Sequence, residues 1–211
     1  MRYDFGSDNT AGMAPDALKA LVAANSGFAR AYGADETTAR AADQIRQRLD
    51  ADAEIRFVFS GTAANAIAVS MLAQPYEAVL THHAAHICTD ETGAPGFFGQ
   101  GVGLIGLPGY SGKIDGMALH AALEEPVVGH RQPAAALSVT QATEYGAVYS
   151  EEELRHLIEP AKLAGLGVHM DGARLANAVA GVSIRRTFRV WAWTFWCSAG
   201  PRPGRTAPRP W

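Results

Sequence analysis

Short runs of β-forming apolar residues alternate with stretches of helical spacing through most of this chain. IRFVF (55–59), EAVLT (77–81), VGLIGL (102–107), AALSVT (135–140) and LGVHM (166–170) are each too short and too evenly apolar for amphipathic helices. Helix-length segments separate them. Such alternation predicts an α/β fold with a mostly parallel sheet flanked by helices, its strands covered on both faces.

The helical segments carry their own end signals. Pro15 opens APDALKALVAA (14–24), with Leu18, Leu21 and Val22 on one face. Asp35 is placed to cap ETTARAADQIRQRLD, where Ala42, Ile45 and Leu49 form the apolar stripe. The run IRFVF stops at Ser60-Gly61-Thr62 and helical spacing resumes in AANAIAVSMLA, a strand, tight turn and helix. Ser150 caps EEELRHLIEPAKLA, with Glu152 or Glu153 in the first turn, before the last run.

Past Gly181 the pattern ends. Residues 182–211 hold all four Trp, six Arg, four Pro and no acid, and fit neither helical nor strand periodicity. Arg-Pro-rich endings of this kind rarely build a core. The expected organisation is therefore one domain over 1–181 and a separate segment over 182–211.

Composition narrows the function classes. With 211 residues, 48% of them apolar, and a net charge of -3, the chain has the bulk for a sizeable core and no electrostatic footprint for nucleic acid or anionic membrane. A small-molecule partner is the expectation. No segment approaches the roughly 20 apolar residues of a membrane span, and the first ten lack a leader pattern, so the expected location is cytoplasmic. Cys88 and Cys197 stand alone, without CxxC spacing, which suits a reducing compartment.

Three places carry candidate chemistry. The turn at Ser60, Gly61 and Thr62 offers backbone N–H groups at a helix start, where a phosphate would be stabilised, although SGT is also an ordinary capping turn. Asp171 ends a buried run, and ligands of open α/β sheets bind outside the carboxyl ends of strands. There a carboxylate could hold a pyridine nitrogen protonated, and Arg174 could grip a carboxylate or phosphate; the plain alternative is a surface Asp-Arg pair. His86 could stack on a flat cofactor or exchange protons. His82, His83 and His86 are close enough in sequence to raise a metal site, but no acidic or Cys ligand spacing supports one.

The order of these features adds specificity. FGSDNTAGMAP (5–15), YGADETT (32–38), FVFSGTAANAIA (57–68), AAHICTDETGAP (84–95), SVTQATEYGAVYS (138–150) and HMDGARLANAVAG (169–181) together resemble the low-specificity threonine aldolases, pyridoxal-phosphate enzymes of the aspartate-aminotransferase-like fold. The resemblance implies pyridoxal 5'-phosphate as cofactor, with Ser60, Gly61 and Thr62 at its phosphate, His86 on its ring and as a catalytic group, and Asp171 at its ring nitrogen. It implies that Ser7 and Arg174 hold the substrate carboxylate. Tyr32 and Gly33 would lie near a subunit interface, and Gln141 and Thr143 would line the pocket. The implied reaction cleaves threonine or another β-hydroxy-α-amino acid to glycine and an aldehyde, in a homodimer or homotetramer. A β-eliminating lyase of the same fold, or a non-catalytic fragment that joins intact subunits, is the alternative.

The scheme also needs a Schiff-base lysine. Lys19, Lys113 and Lys162 are the only lysines, and none lies in a matching motif. The family places its lysine downstream of DGAR, within the anomalous segment. Pairing the third base of each codon there with the first two of the next gives Gly across Trp191-Ala192, Asp across Trp193-Thr194, Leu across Phe195-Trp196 and Val across Trp196-Cys197. Degenerate codons permit Gly-Phe-Asp-Pro over 181–185 and Gly-Gly-Thr-Lys-Ala-Gly over 198–204, with the lysine codon straddling Pro201 and Arg202. The expectation is a one-base frame change near Gly181, and a chain without its own Schiff-base chemistry.

Overall fold

A computed structural model describes residues 12–126, 128–181 and 195–197. They fall into two units, one running to Arg56 and one beginning at Phe57. In the first, helix α1 (Pro15–Ala24) has Pro at its start, and its apolar residues Leu18, Leu21 and Val22 are exposed. Helix α2 (Glu36–Leu49) is capped as expected, Asp35 accepting from the Thr38 backbone N–H at 2.9 Å, and it buries Ala42.

The second unit is built on a parallel sheet of β1 (Ala78–His82), β2 (Gly103–Leu107), β3 (Ala134–Thr140), β4 (Gly167–Asp171) and β5 (Phe195–Cys197), in the order β2-β1-β3-β4-β5. Helices α3 (Gly61–Leu72), α4 (His86–Thr89), α5 (Ala94–Phe98), α6 (Gly116–Glu124), α7 (Glu151–Leu163) and α8 (Leu175–Gly181) fill the connections. Four of the five predicted strands form within a residue or so of their expected limits.

The fifth does not. Residues 55–59 are not a strand, and Phe57, Val58 and Phe59 are exposed. β-forming composition describes fitness for a paired, half-buried surface, and no strand of the sheet pairs with this run. The segment past Gly181 corrects the expectation in the other direction. Its residues Phe195–Cys197 form β5, parallel to β4, with His169 opposite Phe195 and Asp171 opposite Cys197.

Strand alternation divides the core. Leu80, Leu137, Val139, Val168 and Met170 face Leu119 of α6 and Leu154, Leu157 and Ile158 of α7. Val79 and Ala136 face Val69 of α3 on the other side. α7 is held at its start by a full capping box between Ser150 and Glu153. A Cβ at Gly167 would stand 2.7 Å from the Leu72 Cδ2 methyl of α3, so a side chain there would displace that methyl. Side chains repeat every second residue on one face of a strand, so the face that Gly167 leaves low for α3 is also the face of His169 and Asp171.

Candidate active site

The sheet order reverses at β1, from which β2 lies on one side and β3 on the other, and the crevice above the carboxyl ends of such strands is where open α/β sheets bind ligands. Asp171 is the last residue of β4 and is 5% exposed. Its Oδ1 accepts from the Ala173 N–H at 2.9 Å, and its Oδ2 from Asn65 Nδ2 at 3.1 Å. A buried carboxylate with no cation in contact among the described residues is costly unless something positive meets it.

Asn65 lies one turn into α3. Ser60 caps that helix, its Oγ accepting from the Ala63 N–H at 3.1 Å. The N–H groups of Gly61 and Thr62 precede the first intrahelical bond and have no acceptor among the described residues. A Cβ at Gly61 would meet nothing within 4 Å, so the turn is open to a ligand. Four residues of helix rise about 6 Å. The predicted phosphate turn and Asp171 therefore belong to one face of the unit, linked through Asn65.

His86 reaches the same face from the end of β1. Its Nδ1 lies 2.9 Å from Oε1 of Glu91, and that oxygen also accepts from Asn65 Nδ2 at 2.7 Å. Burial raises the Glu91 carboxyl above its usual range, the Asn65 and His86 hydrogen bonds oppose this, and the Asp171 charge adds to it. The result is a continuous connection from His86 through Glu91 and Asn65 to Asp171. Neither Asn65 nor Glu91 stood out in the sequence, although both lie inside the quoted motifs; spacing does not show which acid turns inward.

The other expectations divide. Arg174 is engaged by Glu144 through a two-fold contact, Nη1 to Oε1 at 2.9 Å and Nη2 to Oε2, so a substrate carboxylate would have to share or displace that partner. Gln141 is fully buried, and both its amide atoms hold the Tyr149 backbone, at 3.0 Å each. Thr143 is likewise spent, donating to the Ser111 carbonyl and accepting from Ala147 N–H. Tyr32 and Gly33 form a left-handed turn in the first unit. Ser7 lies outside the described residues.

No cluster able to hold a metal occurs among the described residues. His82 and His83 turn ring nitrogens to the Gly109 and Leu107 carbonyls instead. Lys113 is bound to Glu153 at 2.7 Å, Lys19 lies 3.8 Å from Asp16, and Lys162 sits at the end of α7 that leads to the start of β4, away from the strands' carboxyl ends. Within the second unit, neither Lys113 nor Lys162 supplies an amine beside Asp171.

His169, beneath Asp171 on the same face, is completely buried and shares a 2.8 Å hydrogen bond with Ser138 Oγ. Burial pushes it down to about 4, against the attraction of Asp171, from the ordinary 6.5. Because its folded value lies below its unfolded one, protons bind the unfolded chain first and stability is lost as pH falls from 6.5 towards 4. Between pH 7 and pH 5 this one group is expected to cost about 2 kcal/mol. Urea unfolding at the two pH values checks it: His169→Gln should flatten the pH dependence by that amount, and an unchanged slope would refute the assignment.

Comparisons with known proteins give the family and the fold. The profile of the beta-eliminating lyase family matches residues 4–198, and the chain belongs to that family. The family comprises pyridoxal-phosphate-dependent lyases and includes the threonine aldolases. Over 177 residues the chain is 44% identical to the low specificity L-threonine aldolase of Pseudomonas sp. (strain NCIMB 10558), covering 83% of this chain and 51% of the relative. A threonine aldolase structure from Leishmania major superposes with a TM-score of 0.80 at 33% identity, over 85% of this chain and 52% of that one. An N-succinyldiaminopimelate aminotransferase from Mycobacterium tuberculosis shares the fold at a TM-score of 0.52 and 24% identity, over 75% of this chain and 41% of that one. The chain spans about half the length of the relatives it matches.

Proposed function

We propose that this face is the pyridoxal 5'-phosphate site of an aldolase that, as an intact homo-oligomer, cleaves threonine or a related β-hydroxy-α-amino acid to glycine and an aldehyde. The observation that carries the reading is Asp171: a buried carboxylate at a strand's carboxyl end, held on both oxygens, with no cation of the described residues against it. A protonated ring nitrogen supplies the missing charge. Buried polar atoms left unsatisfied need an explanation, and Asn65 Oδ1, Glu91 Oε2 and Thr81 Oγ1 are three among the described residues.

When bound, the cofactor's ring serves as an electron sink for bond cleavage at the substrate's α-carbon. The residues of this chain then have separate tasks. Asp171 keeps the ring nitrogen protonated, Ser60, Gly61 and Thr62 hold the phosphate, and His86 covers the ring and exchanges a proton. Arg174 orients the substrate carboxylate.

The chain as it stands binds the cofactor without a Schiff base of its own, because residues 182–211 are read out of frame and the lysine codon is split between Pro201 and Arg202. Borohydride treatment followed by mass spectrometry is expected to fix no cofactor at the site, and threonine is expected to yield no glycine above background. Restoring the frame near codon 181 should give a lysine-bound adduct together with glycine and aldehyde release. Gene resequencing that shows an undisturbed frame and a natural stop, with no homologous frame downstream, would overturn the frame reading; release of other products by the restored enzyme would favour the β-eliminating alternative.

A further inference from the structure

We propose that Glu91 is a positioning residue that holds His86 as its Nδ1–H tautomer and leaves Nε2 as the proton-accepting nitrogen. The Glu91 side chain is fully buried, whereas His86 is 34% exposed, so the pair has an anchored end and an open end. Oε1 already accepts an N–H from Asn65 at 2.7 Å. The same oxygen stands 2.9 Å from His86 Nδ1, and an oxygen serving as acceptor to one donor is best served by a second donor, here Nδ1–H. A ring nitrogen's protonation is set by the hydrogen bond its partner makes, so the lone pair falls on Nε2.

Local backbone explains why Glu91 can do this. After α4, Thr92 and Gly93 adopt left-handed conformations (φ 51° and 76°), which turn the chain into α5 immediately behind Glu91. Asn65 adds the second constraint. Its single Nδ2 donates one hydrogen to Glu91 and the other to Asp171, so two neighbouring carboxylates are bridged by an uncharged donor instead of repelling. One contact thus ties the orientation of His86 to that of Asp171.

The tautomer follows from the hydrogen bonds alone; its use in proton transfer rests on the pyridoxal-phosphate reading above. Long-range proton–nitrogen spectra of histidine-labelled protein at pH 8 distinguish the two, with the His86 signal assigned by its loss in His86→Asn. The unaltered chain should show Nδ1–H. Glu91→Gln keeps an oxygen at the Oε1 position and should retain that signal, whereas Glu91→Ala should convert it to Nε2–H. An Nε2–H signal in the unaltered chain, or an unchanged Nδ1–H signal in Glu91→Ala, overturns the proposal. Where the alanine variant fails to fold, the unaltered chain and Glu91→Gln decide, since both must show Nδ1–H. A parallel titration with pyridoxal phosphate separates the two claims: Nδ1–H without cofactor binding removes the site reading and leaves Glu91's role, and binding with Nε2–H does the reverse.

Discussion

Asparagine in place of Asp171 is expected to weaken pyridoxal phosphate binding by roughly 10- to 100-fold, the loss of one buried hydrogen bond to a charged group at about 1.5–3 kcal/mol. The amide preserves the shape of the side chain and an acceptor for the Ala173 N–H, so the change falls mainly on charge. Asn65, which now donates to the carboxylate, would face either the amide oxygen or its NH2 group. Titration followed by the cofactor's visible absorbance measures the affinity. An affinity within two-fold of the unaltered chain would mean that the ring nitrogen is not Asp171's partner, and the assignment of the site would fall with it.

Leu137→Ala is expected to lower the unfolding free energy by about 2–5 kcal/mol, the range for a leucine truncated in a packed interior. Leu137 is fully buried on β3, which lies between β1 and β4, and it packs among Leu80, Val168 and the α7 leucines. Domains are stable by about 5–15 kcal/mol, so this single truncation removes a large part of the total. Urea denaturation checks it. A change under 1 kcal/mol would mean that the α7 side of the sheet is not the main core.

The pattern of the chain was most legible where local and global preferences agreed. EAVLT, VGLIGL, AALSVT and LGVHM are strands in the structure because each finds a parallel neighbour in the sheet. Asp35, Ser60 and Ser150 cap the helices they precede, since capping depends on residues only a few positions apart. IRFVF has the same local character and fails, because pairing is decided by residues far away in sequence. Phe195–Cys197 succeeds as an edge strand despite its unpromising neighbours, through its alignment with His169–Asp171.

The candidate site divides along the same line. Asp171, His86 and the Ser60-Gly61-Thr62 turn were visible from the sequence because each sits at the end of a strand or the start of a helix, where short-range pattern places ligand-binding groups. That none of the three lysines lies within a matching motif was visible too, since motif membership is read directly from the sequence. What tertiary structure alone decided is which polar groups meet: Asn65 between Glu91 and Asp171, Glu91 on His86, and Glu144 on Arg174. Those contacts join residues from separate elements, and a buried hydrogen bond depends on where packing sets the backbone, which periodicity along one element cannot specify.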